Sequence, residues 1–230
     1  MDVRNLKARS AEKAVEYVRS GMVLGLGGGT TAALAIKRIG NLLEEGELQN
    51  ISGVPCSTRV EARARECGVP LTTLDDAPEL DLTIDGADEV DYDCNLIKGG
   101  GGALVWEKIV AQASRREIIV VDESKVSDRV GTQWPVPVEV LYFGLRTQRE
   151  FLEELGAETS IRNTENGTRY ITDNGNYILD CDFGPIDAPR YLADRMKRRS
   201  GVIDHGLFLG CADDVIIAGE SGLRHLECDR

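Results

Sequence analysis

Apolar and polar positions alternate along the first 121 residues with two different periods. Residues 11–19 place Ala14, Val15 and Val18 on one helical face. Met22-Val23-Leu24 is a short apolar run that predicts a buried strand ended by Gly25. A glycine-rich turn follows, and residues 32–43 predict a helix. Residues 51–55 read as strand and turn, 61–67 as helix, 71–74 as strand and 80–84 as a strand ending at Asp85. A second glycine run precedes a helix over 103–113, and 117–121 predicts a further strand. This alternation predicts an α/β fold, a Rossmann-like and mostly parallel sheet with helices on both faces. Such sheets bind ligands at the carboxyl ends of their strands. Both glycine runs and Asp85 fall at such ends.

The period changes near Trp134-Pro135-Val136-Pro137-Val138. Residues 147–156 predict a helix, then 158–162, 168–172 and 177–182 predict antiparallel strands. Asp173-Asn174-Gly175-Asn176 is the turn signal between the last two. Residues 188–198 predict another helix, and 215–218 a buried strand that rejoins the first sheet. The expected organisation is a catalytic domain over 1–131 and 206–230, with a smaller inserted α+β (ferredoxin-like) domain over 132–205.

Composition narrows the function classes. Apolar residues make up 42% of 230, enough for a real core, and the net charge is −12. Nucleic-acid binding calls for a basic face. The densest basic run, Arg195-Met196-Lys197-Arg198-Arg199, lies beside acidic stretches and reads as an exposed helix end. An anionic substrate would therefore be met by locally placed lysines and backbone N–H groups. The six cysteines form no C-x-x-C pair, and His205 and His225 lie far from any zinc spacing, so the expectation is six thiols and no metal. Residues 1–12 are charged throughout, unlike a signal peptide, and no apolar run approaches the roughly 20 residues of a membrane span. A cytoplasmic protein is expected.

Three segments carry candidate chemistry. Gly25-Leu26-Gly27-Gly28-Gly29-Thr30-Thr31 lacks the third glycine of a dinucleotide fingerprint and the lysine of a P-loop. It leaves a strand-to-helix turn with two hydroxyls, where N–H groups would hold a phosphate, or else Thr30 serves as an ordinary N-cap. Asp85-Gly86-Ala87-Asp88-Glu89-Val90-Asp91-Tyr92-Asp93 is dense in carboxylates. A calcium loop starting at Asp91 fails, because Leu96 stands where glycine is needed and Gly102 where the closing glutamate is needed. A solvated acidic turn accounts for Asp91 and Asp93. It accounts poorly for Asp85, which directly follows an apolar strand. Lys98-Gly99-Gly100-Gly101-Gly102 then leads into a helix bearing Glu107. Four glycines are entropically costly unless a ligand touches the main chain. Lys98 and these N–H groups would stabilise an oxyanion and Glu107 would act as a base. A mobile loop and a surface glutamate are the ordinary alternatives.

Taken in order, these motifs resemble ribose-5-phosphate isomerase of type A. Asp122-Glu123-Ser124-Lys125, Pro137-Val138-Glu139-Val140, Thr172-Asp173-Asn174-Gly175-Asn176 and Gly206-Leu207-Phe208 extend the resemblance over nearly the whole chain. It implies interconversion of D-ribose 5-phosphate and D-ribulose 5-phosphate through an enediolate, with no cofactor and no metal. By resemblance Glu107 is the proton-transferring base, Asp85 assists ring opening and Lys98 stabilises charge on the enediolate oxygen. Partial burial beside Leu104 and Trp106 would suit Glu107 to that role. The resemblance also places Gly86, Ala87, Asp88, Gly99, Gly100 and Gly101 at the sugar. Gly28, Gly29, Thr30, Thr31 and Lys125 would hold phosphate and neighbouring hydroxyls, with Lys7 a further candidate. Many family members carry a hydroxyl residue where Gly28 stands and Ser where Thr30 stands, so the grip here would lean on Thr30, Thr31 and Lys125. The expected partners are a pentose phosphate and further copies of the chain, as homodimer or homotetramer, with no nucleic acid and no membrane.

Overall fold

The structure, a computed structural model, describes residues 2–229. In chain order its elements are α1 (Val3–Val15), β1 (Val23–Leu26), α2 (Gly29–Glu44), β2 (Ser52–Pro55), α3 (Thr58–Glu66), β3 (Leu82–Asp85), β4 (Glu89–Val90) and β5 (Leu96–Ile97). Then come α4 (Leu104–Gln112), β6 (Glu117–Asp122), β7 (Val136–Val140), α5 (Leu145–Glu154), β8 (Glu158–Ile161) and β9 (Tyr177–Asp182). The chain closes with α6 (Pro189–Lys197), β10 (Val202–His205), β11 (Leu207–Phe208), β12 (Asp214–Gly219) and β13 (Gly222–Glu227). It folds as two compact units. The first takes residues up to Ala87, Trp106–Lys125 and Gly210 onward; the second takes Asp88–Val105 and Val126–Leu209. The second unit thus takes in 88–105 and 126–209, more than the expected 132–205.

The first unit is built on a six-stranded sheet in the order β13-β12-β6-β3-β1-β2, parallel except for β13. Every residue of β6 and β12 is buried, as expected of central strands covered on both faces. Leu24, Leu26, Ile84, Ile118, Val120 and Ile216 meet Ala35, Ile36 and Ile39 of α2 and Ala11, Ala14 and Val15 of α1 in one core. Helix α1 begins well before residue 11, because the Asp2 side chain accepts the Arg4 N–H and caps it. The strand expected at 71–74 does not form. Leu71 makes one bridge to Gly53, and Thr73 then turns the chain by bonding the Asp76 side chain and N–H at 2.8 and 3.2 Å. Polar β13 gave no apolar signal in the sequence.

The second unit follows the order β-α-β-β-α-β through β7, α5, β8, β9, α6 and β10, with an antiparallel sheet ordered β10-β7-β9-β8. This is the ferredoxin-like arrangement. Its core joins Val136, Val138, Val140, Leu179 and Cys181 to Leu152 of α5 and Leu192 and Met196 of α6. A small three-stranded sheet, β11-β5-β4, belongs to the same unit. The strand expected at 168–172 is absent, apart from an Arg169–Asn163 bridge. Buried Glu139 explains this: one of its oxygens accepts from Thr172 Oγ1, Asn174 Nδ2 and Asn176 Nδ2 at 3.0, 3.0 and 2.8 Å. Those side chains fold the segment into a turn instead of a ladder. Cys56, Cys67, Cys181 and Cys211 carry thiols. Cys94 and Cys228 are disulfide-bonded, which corrects the expectation of six thiols.

One electrostatic cluster pins the β12–β13 edge. Asp214, 3% exposed, accepts from Arg116 Nε at 2.7 Å, and His225 Nε2 lies 2.6 Å from its other oxygen. The Arg116 guanidinium sits 4.5 Å from the centroid of the Tyr17 ring. Burial pushes the Asp214 carboxyl up, but the hydrogen bonds from Arg116 and His225 outweigh it and hold the group below 3.8. A depressed folded-state pKa contributes stability above the unfolded value, lost as pH falls through the folded one. Asp214→Asn is therefore expected to cost about 2 kcal/mol at pH 7. Thermal melts of both proteins should converge as the pH drops below 3.8; a gap that persists or widens in acid refutes the assignment.

Candidate active site

The site is founded on the carboxyl ends of β1 and β3. The two strands pair in register, Gly25 with Thr83 and Leu26 with Ile84, and the ladder continues as the Gly27 N–H donates to Ile84 O at 3.0 Å. The backbones then come so close that a Cβ on Gly27 would stand 2.4 Å from Asp85 Cα. Only glycine fits there. Asp85, 1% exposed, turns one oxygen to the N–H groups of Gly28 at 2.8 Å and Gly86 at 2.6 Å. Its carboxylate is thus held by the same turn that opens α2.

Helix α2 begins at Gly29, with extended Gly28 as its N-cap and no side chain capping it. Thr30 is therefore not the N-cap; Thr30 and Thr31 belong to the first turn, where N–H groups lack intrahelical acceptors. Gly29 adopts φ +85°, a left-handed conformation that glycine tolerates. Lys7, reaching over from α1, donates to Thr30 Oγ1 at 3.0 Å. A helix N-terminus with a hydroxyl and an ammonium beside it is suited to an anion. Lys125 ends a 3₁₀ turn just after β6 and is half-buried, at the same sheet end as Asp85.

Glu107 lies in the first turn of α4 and is only 6% exposed, so it is not a surface helix residue. A Cβ on Gly28 would fall 2.8 Å from Glu107 Oε1 and 3.6 Å from Cys56 Sγ. Cys56 Sγ and one carboxylate oxygen each from Asp85 and Glu107 lie within 4.8 Å of one another. All three side chains are buried, and among the described residues this is the group whose spacing could hold a metal ion. Cys56 went unnoticed in the sequence, where it was one thiol of six and carried no motif.

The other predicted residues, apart from Ala87 at the end of the first unit's opening segment, belong to the second unit. Asp88 Oδ2 accepts the Gly100 N–H at 2.7 Å, and the Asp88 N–H donates to Ile97 O. Ala87 and Asp88 are half-buried. Lys98 is 2% exposed; its N–H donates to Gly206 O at 2.9 Å and its ammonium lies 5.5 Å from the Phe208 ring centroid. The glycine run is ordered: the Gly102 N–H donates to Gly99 O at 2.9 Å, closing a turn with φ +98° and +88° at Gly99 and Gly102. The acidic segment is not uniformly solvated. Asp91 is buried and ties its own turn by accepting from the N–H groups of Asp93 and Asn95. Glu89 is fully buried and accepts from the N–H groups of Gly131, Thr132, Gln133 and Trp134 at 2.9–3.1 Å.

A parallel sheet whose carboxyl ends gather two buried carboxylates beside an open helix N-terminus places the chain among Rossmann-like α/β proteins that bind ligands at that edge. Residues 52–222 match the family model of ribose 5-phosphate isomerase A (phosphoriboisomerase A). Ribose-5-phosphate isomerase A of Desulfatibacillum aliphaticivorans is 52% identical over 222 residues, spanning 96% of each chain. The solved ribose 5-phosphate isomerase of Plasmodium falciparum is 42% identical with TM-score 0.95, covering 99% of this chain and 100% of that one. A D-ribose-5-phosphate isomerase in complex with phospho-erythronic acid is 38% identical with TM-score 0.96, over the same shares. The chain belongs to the ribose-5-phosphate isomerase A family.

The two glycines of the turn separate folding from function. Gly27→Ala forces a methyl into the Asp85 backbone and is expected to cost about 3 kcal/mol or more. Gly28 has φ −96° and ψ 175°, which alanine accepts, so Gly28→Ala should melt near the wild-type temperature. Its methyl displaces the Glu107 carboxylate, and activity should fall about tenfold or more. Equal losses of stability in the two variants would show that the turn has only a folding role.

Proposed function

We propose that this chain interconverts D-ribose 5-phosphate and D-ribulose 5-phosphate through an enediolate, as its family resemblance implies. The observation that carries the reading is the buried Glu107 carboxylate beside Gly28 and the Asp85 carboxylate. Moving the carbonyl from C1 to C2 takes one proton from C2 and returns one to C1. A single carboxylate does both if the intermediate stays bound. Glu107 takes the C2 proton as the C1 carbonyl becomes an enediolate oxyanion. It then delivers the proton to C1 as the C2 oxygen becomes the carbonyl, its own proton passing to the C1 oxygen. Asp85, held by the N–H groups of Gly28 and Gly86, takes the anomeric hydroxyl proton and passes it to the ring oxygen as the bond between C1 and that oxygen breaks and C1 becomes the carbonyl. Lys98 supplies the cation that stabilises the oxyanion, with Asp88 and the N–H groups of Gly99 and Gly101 ordering the sugar hydroxyls and the Gly100 N–H holding Asp88 in place.

The phosphate end is assigned to the α2 N-terminus, with Gly28, Gly29, Thr30, Thr31 and Lys125. Lys7 joins it through Thr30. A dianionic group there supplies binding energy and orientation remote from the reacting carbons. A relative solved in complex with phospho-erythronic acid accords with a phosphate-bearing ligand. No cofactor or metal takes part in the proposed reaction. We assign the protein to the cytoplasm, consistent with the absence of any described helix long and apolar enough to cross a membrane. A homodimer or homotetramer is proposed, supported by the exposed Leu141, Tyr142 and Phe143 of the second unit.

A coupled assay for ribulose 5-phosphate tests the reading. Wild type should turn over with chelator present. Glu107→Gln should lose a factor of about 10²–10⁴ in kcat with little change in KM. Lys98→Met should lose about 10²–10³. An inactive wild type, or Glu107→Gln at wild-type rate, rejects the isomerase; loss of activity on chelation rejects the metal-free reaction and directs attention to Cys56, Asp85 and Glu107.

A further inference from the structure

We propose that Arg162 is a positioning residue for this reaction, acting through the main chain of the Gly99–Gly102 loop; the inference rests on the isomerase reading above. Arg162 follows β8, some sixty residues beyond the loop, and no motif marks it. Its guanidinium is mostly buried, with side-chain exposure of 14%. Nε donates to Asp180 Oδ2 at 2.9 Å and Nη2 to Asp180 Oδ1, a fork-to-fork pair. The remaining arm, Nη1, donates to two successive carbonyls, Gly99 O at 2.7 Å and Gly100 O at 3.1 Å. Tyr170, whose N–H donates to Arg162 O, donates its hydroxyl to the next carbonyl, Gly101 O, at 3.3 Å. Its ring lies where a Gly102 side chain would stand, with Cζ 2.4 Å from an added Cβ.

Peptide planarity turns this grip on oxygens into an orientation of nitrogens. In a trans peptide the C=O and the following N–H point in opposite directions. Fixing Gly99 O and Gly100 O on the guanidinium aims the N–H groups of Gly100 and Gly101 away from it. The Gly100 N–H lands on Asp88 Oδ2 at 2.7 Å, as that geometry demands. The Gly101 N–H is presented next to it, in the loop that begins at Lys98. Glycine has the largest backbone freedom of any residue, so without such a clamp these dipoles would be spread over many directions. Preorganised dipoles are what oxyanion stabilisation requires. The Gly99 and Gly100 oxygens are held by a residue whose planar fork reaches Asp180 and the carbonyls together. A lysine ammonium, a single point of charge, does not do both.

The alternative is that Arg162 only braces the second unit. Four measurements on Arg162→Lys, Arg162→Met and Tyr170→Phe separate the two: melting temperature, kcat with KM for ribose 5-phosphate, inhibition by phospho-erythronic acid, and competition by inorganic phosphate. Positioning predicts that Arg162→Lys melts like wild type yet loses about tenfold in kcat, with Arg162→Met losing about a hundredfold. Affinity for phospho-erythronic acid, whose carboxylate stands in for the enediolate oxygens, should fall in step with kcat, while competition by phosphate stays at the wild-type value. Tyr170→Phe should show a smaller loss of the same kind. Arg162→Lys with wild-type kcat and analogue affinity overturns the proposal, and so do losses in analogue and phosphate affinity that merely track a lowered melting temperature. If Arg162→Met does not fold, the lysine and Tyr170→Phe variants decide. A wild type without turnover is a different failure, that of the isomerase reading itself.

Discussion

The contact between two backbones at Gly27 and Asp85 sets the position of the candidate site residues that the first unit carries. Strands β1 and β3 pair in parallel and then converge until no side chain fits at residue 27. The convergence brings the Gly28 N–H onto the Asp85 carboxylate and starts α2 one residue later. Because the helix starts there, Thr30 and Thr31 fall in its first turn with their N–H groups unclaimed by the helix. Because Gly28 has no side chain, Glu107 can occupy the space beside it. A base, a second carboxylate and an anion-binding helix end are thus consequences of one steric constraint between main chains.

The parallel sheet was legible because its central strands are short apolar runs separated by helical periods. Ile118, Ile119, Val120 and Val121 admit little other reading, and all are buried. The failures have a common cause: polar side chains satisfied locally look the same in sequence as polar side chains in solvent. Thr73 with Asp76, and Thr172 with Glu139, turn segments that apolar alternation alone would extend. Strand β13 is the converse, a strand with a polar sequence, formed because β12 offers an unpaired edge that its backbone can complete.

The site itself was legible in its order of motifs more than in its geometry. Asp85 stood out because a charge directly after an apolar strand must be held by something, and two N–H groups hold it. Glu107 was marked as a base only by its place after the glycine run and by resemblance, since a helical Glu-Lys pair is normally solvated; its carboxylate has room because position 28, far away in sequence, is glycine. Arg162 was invisible for a stronger reason. Its partners on the glycine loop are backbone carbonyls, which every sequence contains, so no residue pattern points to them.

Glu89 gives the acidic segment a different meaning from the one its composition suggests. Four consecutive backbone N–H groups, from Gly131 to Trp134, converge on this one buried carboxylate. Proteins build such concave nests to capture phosphates and other anions from solution. Here the nest is already filled, and its anion is supplied by the same chain. The fold therefore treats one of its own side chains as a resident ligand, tethering the 131–134 loop to β4 with bonds that no diffusible anion would need to bring.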